Sequence, residues 1–119
     1  MSLQRLYACA LAATVLTVLL LANIPPFTLP GNPSDKLQHV VAFAVLAWLA
    51  AGAFPSWSMR LLWAWLAAFA ATIELVQLFL HQGREADGLD FLAGMAGATG
   101  VLLIIFLARR SKAQAKVLP

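Results

Sequence analysis

The chain has 119 residues, of which 62% are hydrophobic and 11% are charged, and its formal net charge is +3. Soluble domains contain about 45–50% apolar and about 25% charged residues, so this composition cannot supply a water-exposed surface. The positive excess is concentrated near the C-terminus, in Arg109, Arg110, Lys112 and Lys116, directly after an apolar segment. That pattern is typical of a membrane orientation signal and argues against nucleic-acid binding. Composition and charge indicate a protein embedded in a lipid bilayer.

Four apolar segments are predicted to be transmembrane helices, because about 20 mostly apolar residues cross a hydrocarbon core of about 30 Å. They cover residues 6–24, 37–54, 61–80 and 89–107. Pro25 and Pro26 end the first segment and Pro55 ends the second, since proline lacks the backbone N–H and clashes with the preceding turn. Residues 108–119 form a basic tail. The predicted fold is an all-α bundle of four transmembrane helices in a single domain.

The first segment is also compatible with a cleaved signal peptide, because Arg5 precedes its apolar run. The run is longer than the usual signal-peptide core of about 7–15 residues. We therefore predict a retained helix, and the total of four helices depends on this interpretation.

The distribution of basic residues predicts the orientation of the helices. If both termini are cytoplasmic, the cytoplasmic side holds six basic residues, namely Arg5, Arg60 and the four in the tail. The opposite side then holds two, Lys36 and Arg84. Lys and Arg are enriched in cytoplasmic loops of membrane proteins. We expect both termini in the cytoplasm and the loops 25–36 and 81–88 on the outer side.

Polar residues gather at the predicted outer ends of the second, third and fourth helices. Asp35 and His39 are four residues apart near the start of the second helix, so they share a face. Glu74 and Gln77 lie near the end of the third helix, and Asp90 opens the fourth. The predicted binding residues are Asp35, Lys36, His39, Glu74, Gln77, Arg84 and Asp90.

Glu74 is the most informative of these residues. A charge at the centre of a bilayer costs about 2.5–3.5 kcal/mol, and less toward the interface, so a carboxylate there is expected to have a partner or a task. His39 and Arg84 are the candidate partners, and we expect groups from three helices to meet. The alternative is that both residues have structural roles only. Glu74 would then hold helices together by polar contacts, and Asp90 would stabilise a helix N-terminus.

The fourth helix contains small residues at a spacing that favours close helix packing. Ala93/Gly97 and Ala96/Gly100 are pairs four residues apart, which lets helix backbones approach each other in lipid. Asp90 shares a face with Gly97. We therefore expect the packed face to direct Asp90 into the bundle.

Four short motifs occur in register between residues 35 and 100. They are Asp35-Lys36-Leu37-Gln38-His39, Glu74-Leu75-Val76-Gln77, Arg84, and Asp90-Phe91-Leu92-Ala93 with Gly97. In this order and spacing they resemble the VanZ-like family of bacterial membrane proteins, whose namesake is linked to teicoplanin resistance. The resemblance implies a small helical protein of the bacterial inner membrane. Gly94 stands where that family usually has Asn, so one polar contact is missing here.

The predicted function is binding at the outer leaflet, of an anionic headgroup, a lipid-linked cell-wall component or a partner protein. Lys36 and Arg84 would contact the anion, while Glu74, His39 and Asp90 would shape the pocket together with the remaining polar residues. Charges confined to one leaflet argue against an ion path across the membrane. The oligomeric state is not determined by the sequence.

An intramembrane enzyme acting on a lipid or a lipid phosphate is the alternative. Glu74 or Asp90 would then be the general base, His39 its acid partner and Arg84 the anion stabiliser. The sequence has no Ser or Cys nucleophile motif and no metal ligands at a recognisable spacing. We therefore predict neither a metal nor a cofactor, and favour a protein that is not an enzyme.

Overall fold

The computed structural model describes residues 2–22, 33–80 and 88–117, and within them the chain forms four α-helices. They are α1 (Leu3–Ala22), α2 (Pro33–Ala53), α3 (Met59–Leu80) and α4 (Gly88–Val117). All four are long and apolar enough to cross a membrane. The prediction of an all-α fold with four candidate membrane spans is confirmed, and the chain is a multi-pass membrane protein by this criterion.

The helix boundaries differ most from expectation at the C-terminus. The apolar pattern ends at residue 107, but α4 continues through the basic segment as far as Val117. Residues 108–117 contain neither Gly nor Pro, and their Ala, Arg, Lys and Gln residues have high helix propensity. Hydropathy predicts where a membrane span ends, whereas propensity decides where the helix itself ends.

The core lies between α2, α3 and α4. Its buried side chains include Phe43, Leu46, Ala47, Leu62, Leu66, Ala98 and Leu102. The N-terminal helix α1 is peripheral, since none of its apolar span Leu3–Leu20 is buried. It packs on α2, where the Tyr7 and Trp48 rings meet edge to face with centroids 5.9 Å apart.

The pair α2 and α4 forms the most extensive helix contact. A Cβ added at Gly97 would overlap the backbone carbonyl oxygen of Val40, and one added at Gly94 would lie 2.9 Å from Cδ2 of Phe43. The predicted close approach at Gly97 is therefore confirmed. The second predicted pair, Ala96/Gly100, is wrong, because both residues are exposed and a Cβ at position 100 would meet nothing within 4 Å. This pair is rotated by about 60° around the helix axis from Ala93/Gly97.

The C-terminal end of α2 is held by side chains from α1 and α4. The last four carbonyls of a helix have no partner within the helix itself. The Gln4 side-chain amide donates to the carbonyl of Ala53 over 3.0 Å, and the Arg109 guanidinium donates to that of Ala51 over 3.3 Å. These contacts fix one end of the bundle, and the candidate site lies at the other, where α2 begins.

Aromatic residues cluster around the turn between α2 and α3. Trp57 stacks on Phe54 with centroids 4.4 Å apart and on Trp65 at 6.3 Å. The indole N–H of Trp63 donates to the Thr99 hydroxyl over 3.0 Å and so links α3 to α4. Trp is enriched where a membrane meets water, so we expect these tryptophans to anchor the turn in the membrane interface.

Candidate functional site

Four polar side chains from three helices lie together where α2 begins. Lys36 and His39 are in the first two turns of α2, Glu74 is six residues before the end of α3, and Asp90 is the third residue of α4. We call these four residues the polar cluster. Three helix ends meet here, so residues far apart in the sequence become neighbours.

Lys36 and Asp90 form an ion pair between α2 and α4. The Lys36 Nζ donates to Asp90 Oδ1 over 3.1 Å. The Asp90 side chain is 4% exposed, whereas that of Lys36 is 43% exposed. Desolvating a carboxylate costs several kcal/mol, which a close ammonium offsets in part. Asp90 also lies in the first turn of α4, where the helix dipole favours negative charge.

His39 and Glu74 form the second pair, between α2 and α3. His39 Nε2 lies 3.9 Å from Glu74 Oε1, and the two side chains are 18% and 15% exposed. This distance is too long for a direct hydrogen bond but suits an ion pair when the imidazole is protonated. His39, one of the two candidate partners of Glu74, therefore lies next to it, and the other candidate, Arg84, lies outside the described residues.

The two pairs are parts of one cluster. One potential ligand atom from each of His39, Glu74 and Asp90 lies within 4.8 Å of the others. These groups come from α2, α3 and α4, as expected from the cost of isolated polar groups next to hydrocarbon. The arrangement brings two carboxylates and an imidazole within 4.8 Å of one another, with an ammonium 3.1 Å from one of the carboxylates.

The side chains of three other predicted site residues, Asp35, Gln77 and Arg84, lie outside the described part of the chain. Asp35 lies in α2 and Gln77 in α3, but their side chains fall outside the described residues. Arg84 belongs to the segment 81–87, which is also outside them. Their proposed roles remain predictions.

The pairing of Lys36 with Asp90 was not anticipated from the sequence. The two residues are 54 positions apart. Their opposite charges and their predicted position at the same leaflet do not distinguish this pair from the other oppositely charged pairs that the sequence allows. The sequence pattern also did not reveal that His39 lies near both carboxylates, because metal-ligand motifs are recognised by short spacings that are absent here.

The chain matches no family model, and no curated protein or solved structure shows significant similarity to it. The polar cluster is the feature from which function is inferred. Its ammonium suits an anion, and its imidazole and carboxylates suit proton transfer or a cation.

An apolar cavity of about 310 Å³ lies among α1, α2 and α3. Leu11, Val15, Leu46, Trp57 and Phe69 are among its lining residues. None of the polar cluster lines it, so it is separate from the candidate site.

Proposed function

We propose that this chain is a VanZ-like multi-pass protein of the bacterial inner membrane. In this proposal both termini are cytoplasmic, and the polar cluster lies at the outer leaflet. There it binds an anionic headgroup, which belongs to a lipid, a lipid-linked cell-wall component or a partner. The main support is the ion pair between the partly exposed side chain of Lys36 and the buried carboxylate of Asp90.

The geometry around Lys36 explains how the cluster favours an anion. Asp90 anchors the Lys36 ammonium at 3.1 Å while nearly half of the lysine side chain remains exposed. Lysine binds phosphate as a point charge, and such a contact is stronger near low-dielectric surroundings than in water. Ionisable groups at membrane depth are usually functional because they are expensive to maintain. His39 and Glu74, both partly buried, border the same position and would orient the polar part of the headgroup.

Lys36→Gln is expected to weaken binding of an anionic lipid at least about tenfold, because a hydrogen bond to a charged group contributes about 1.5–3 kcal/mol. The probe is dihexanoyl phosphatidic acid, titrated calorimetrically into the full chain in neutral detergent with a chelator present. Lys112→Gln is the matched control, since Lys112 is an exposed lysine in the basic part of α4. Equal affinity of all three proteins, or no saturable binding, contradicts the proposal. Competition by inorganic phosphate distinguishes recognition of the phosphate alone from recognition of the lipid.

A reporter fused after Pro119 tests the proposed orientation. Green fluorescent protein at this position is expected to fluoresce and alkaline phosphatase to be inactive, because the five basic residues near the termini, together with Arg60, favour the cytoplasm. Fusions after Pro55, in the same predicted compartment, serve as the control. Active phosphatase after Pro119 would place the polar cluster on the cytoplasmic side instead.

One observation favours an enzyme as the second candidate function. His39 and Glu74 are 3.9 Å apart next to Asp90, an arrangement suited to moving a proton to and from a substrate. In hydrolysis of a lipid phosphate ester, Glu74 would accept a proton from the attacking water, and His39 would donate a proton to the alcohol that leaves. Products released from a lipid phosphate by the purified chain, and not by Glu74→Gln, would favour this function over binding.

A further inference from the structure

We propose that His39, Glu74 and Asp90 form a site for a divalent transition-metal ion. Their ligand atoms lie within 4.8 Å of one another, and each comes from a different helix. This inference goes beyond the proposed binding of an anion and does not depend on it.

The donor set selects the class of metal. One imidazole and two carboxylates suit Zn²⁺, Mn²⁺ or Fe²⁺, whereas Ca²⁺ and Mg²⁺ prefer all-oxygen sites and Cu⁺ prefers sulfur. Three protein ligands leave at least one coordination position for water or another ligand, as in open zinc sites. The cluster therefore fits an accessible metal site better than a closed structural one.

The three ligand atoms must move closer together to bind one ion, because they lie within 4.8 Å of one another, a wider spacing than a single metal allows. Two donors bound to the same tetrahedral Zn²⁺ are about 3.4 Å apart, and donors on opposite sides of a metal are up to about 4.4 Å apart. His39 Nε2 and Glu74 Oε1 are 3.9 Å apart, within that range. The His39 and Glu74 side chains are more exposed than that of Asp90, so metal binding should move them more than the buried Asp90 carboxylate.

Lys36 occupies the position of a competing cation. Its ammonium contacts Asp90 Oδ1, so a metal bound to that carboxylate would displace it. The displaced Lys36 side chain can extend away from the bundle, because it is already 43% exposed at the bundle's end. Lys36 should therefore lower the affinity for metal.

The test uses the full chain in detergent after removal of metal with a chelator. Zn²⁺ alone is titrated by calorimetry, and Co²⁺ is titrated by visible absorption, which reports its ligands. We expect one ion per chain, a higher unfolding temperature with Zn²⁺, and at least about tenfold weaker binding in His39→Gln and Glu74→Gln. Lys36→Gln is expected to tighten binding severalfold, which a role in folding alone would not produce.

Cys9→Ser is the control for adventitious binding, because Cys9 is an exposed thiol on α1 and an alternative zinc ligand. Its Zn²⁺ affinity should equal that of the unmodified chain. Absence of saturable binding, loss of binding in Cys9→Ser, or unchanged affinity in both His39→Gln and Glu74→Gln would overturn the proposal. Because these two residues are partly exposed, their conservative variants should fold, and their thermal unfolding without metal verifies this. Zn²⁺ binding without binding of phosphatidic acid would reject the proposed function and keep the metal site.

Discussion

Gly97→Ala is expected to destabilise the bundle by about 1–3 kcal/mol, the usual cost of overpacking. The added Cβ would overlap the carbonyl oxygen of Val40, and a backbone atom cannot turn aside as a side chain can. The helices α2 and α4 must then separate. The ion pair of Lys36 and Asp90 spans the same two helices about two turns away, so it should lengthen too. The measurement is the midpoint of thermal unfolding of the purified chain in detergent, together with binding of Zn²⁺ and phosphatidic acid.

Gly100→Ala is the matched control for this prediction. A Cβ at position 100 meets nothing within 4 Å, so the substitution only replaces glycine by a better helix former. It should leave stability unchanged or raise it by up to about 1 kcal/mol. The same chemical change is therefore expected to have opposite effects at two positions three residues apart in α4. Equal effects at both positions would show that the close contact with Val40 does not limit the packing.

Lys36→Met is expected to cost about 2–3 kcal/mol of stability in the presence of a chelator. Removing one partner of a fully buried ion pair costs about 3–5 kcal/mol, and exposed pairs contribute about 1 kcal/mol or less. The value should lie between these limits, because Asp90 is buried while Lys36 is 43% exposed. Without the Lys36 ammonium, the buried Asp90 carboxylate loses the positive charge that lies 3.1 Å from it. Chemical or thermal unfolding in detergent measures the loss.

The effects of substituting the two partners should be unequal. Asp90→Asn leaves the Lys36 ammonium able to turn toward the headgroups, so it should cost less than Lys36→Met. The double variant Lys36→Met/Asp90→Leu should regain most of the lost stability, because it removes both desolvated charges. It should nevertheless bind neither phosphatidic acid nor Zn²⁺ tightly. Additive losses in the double variant would mean that the two charges are not coupled.

The convergence of the polar cluster can be predicted from the sequence, whereas its ion pairs cannot. His39, Glu74 and Asp90 were expected to converge because each is costly next to hydrocarbon, and they lie within 4.8 Å of one another. The specific pairing of Lys36 with Asp90 was not expected, since charge and leaflet alone allow several pairings. The same difference appears in α4, where Gly97 packs as predicted and Gly100 does not. Small-residue spacing identifies candidate contact faces, but the rotation of the helix selects one of them.

The amino-acid sequence by itself determined that the chain forms four apolar helices and that its acidic residues gather toward one end of them. Both properties follow from local causes, namely hydropathy summed over about 20 residues and the cost of a charge in lipid. The tertiary structure decided which carboxylate each cation meets and how near the imidazole lies to both carboxylates. Those distances depend on the depth and rotation of helices that bring together residues as distant in the sequence as Lys36 and Asp90, which are 54 positions apart. Packing such as that of Gly97 against Val40 sets them, and no local pattern encodes it.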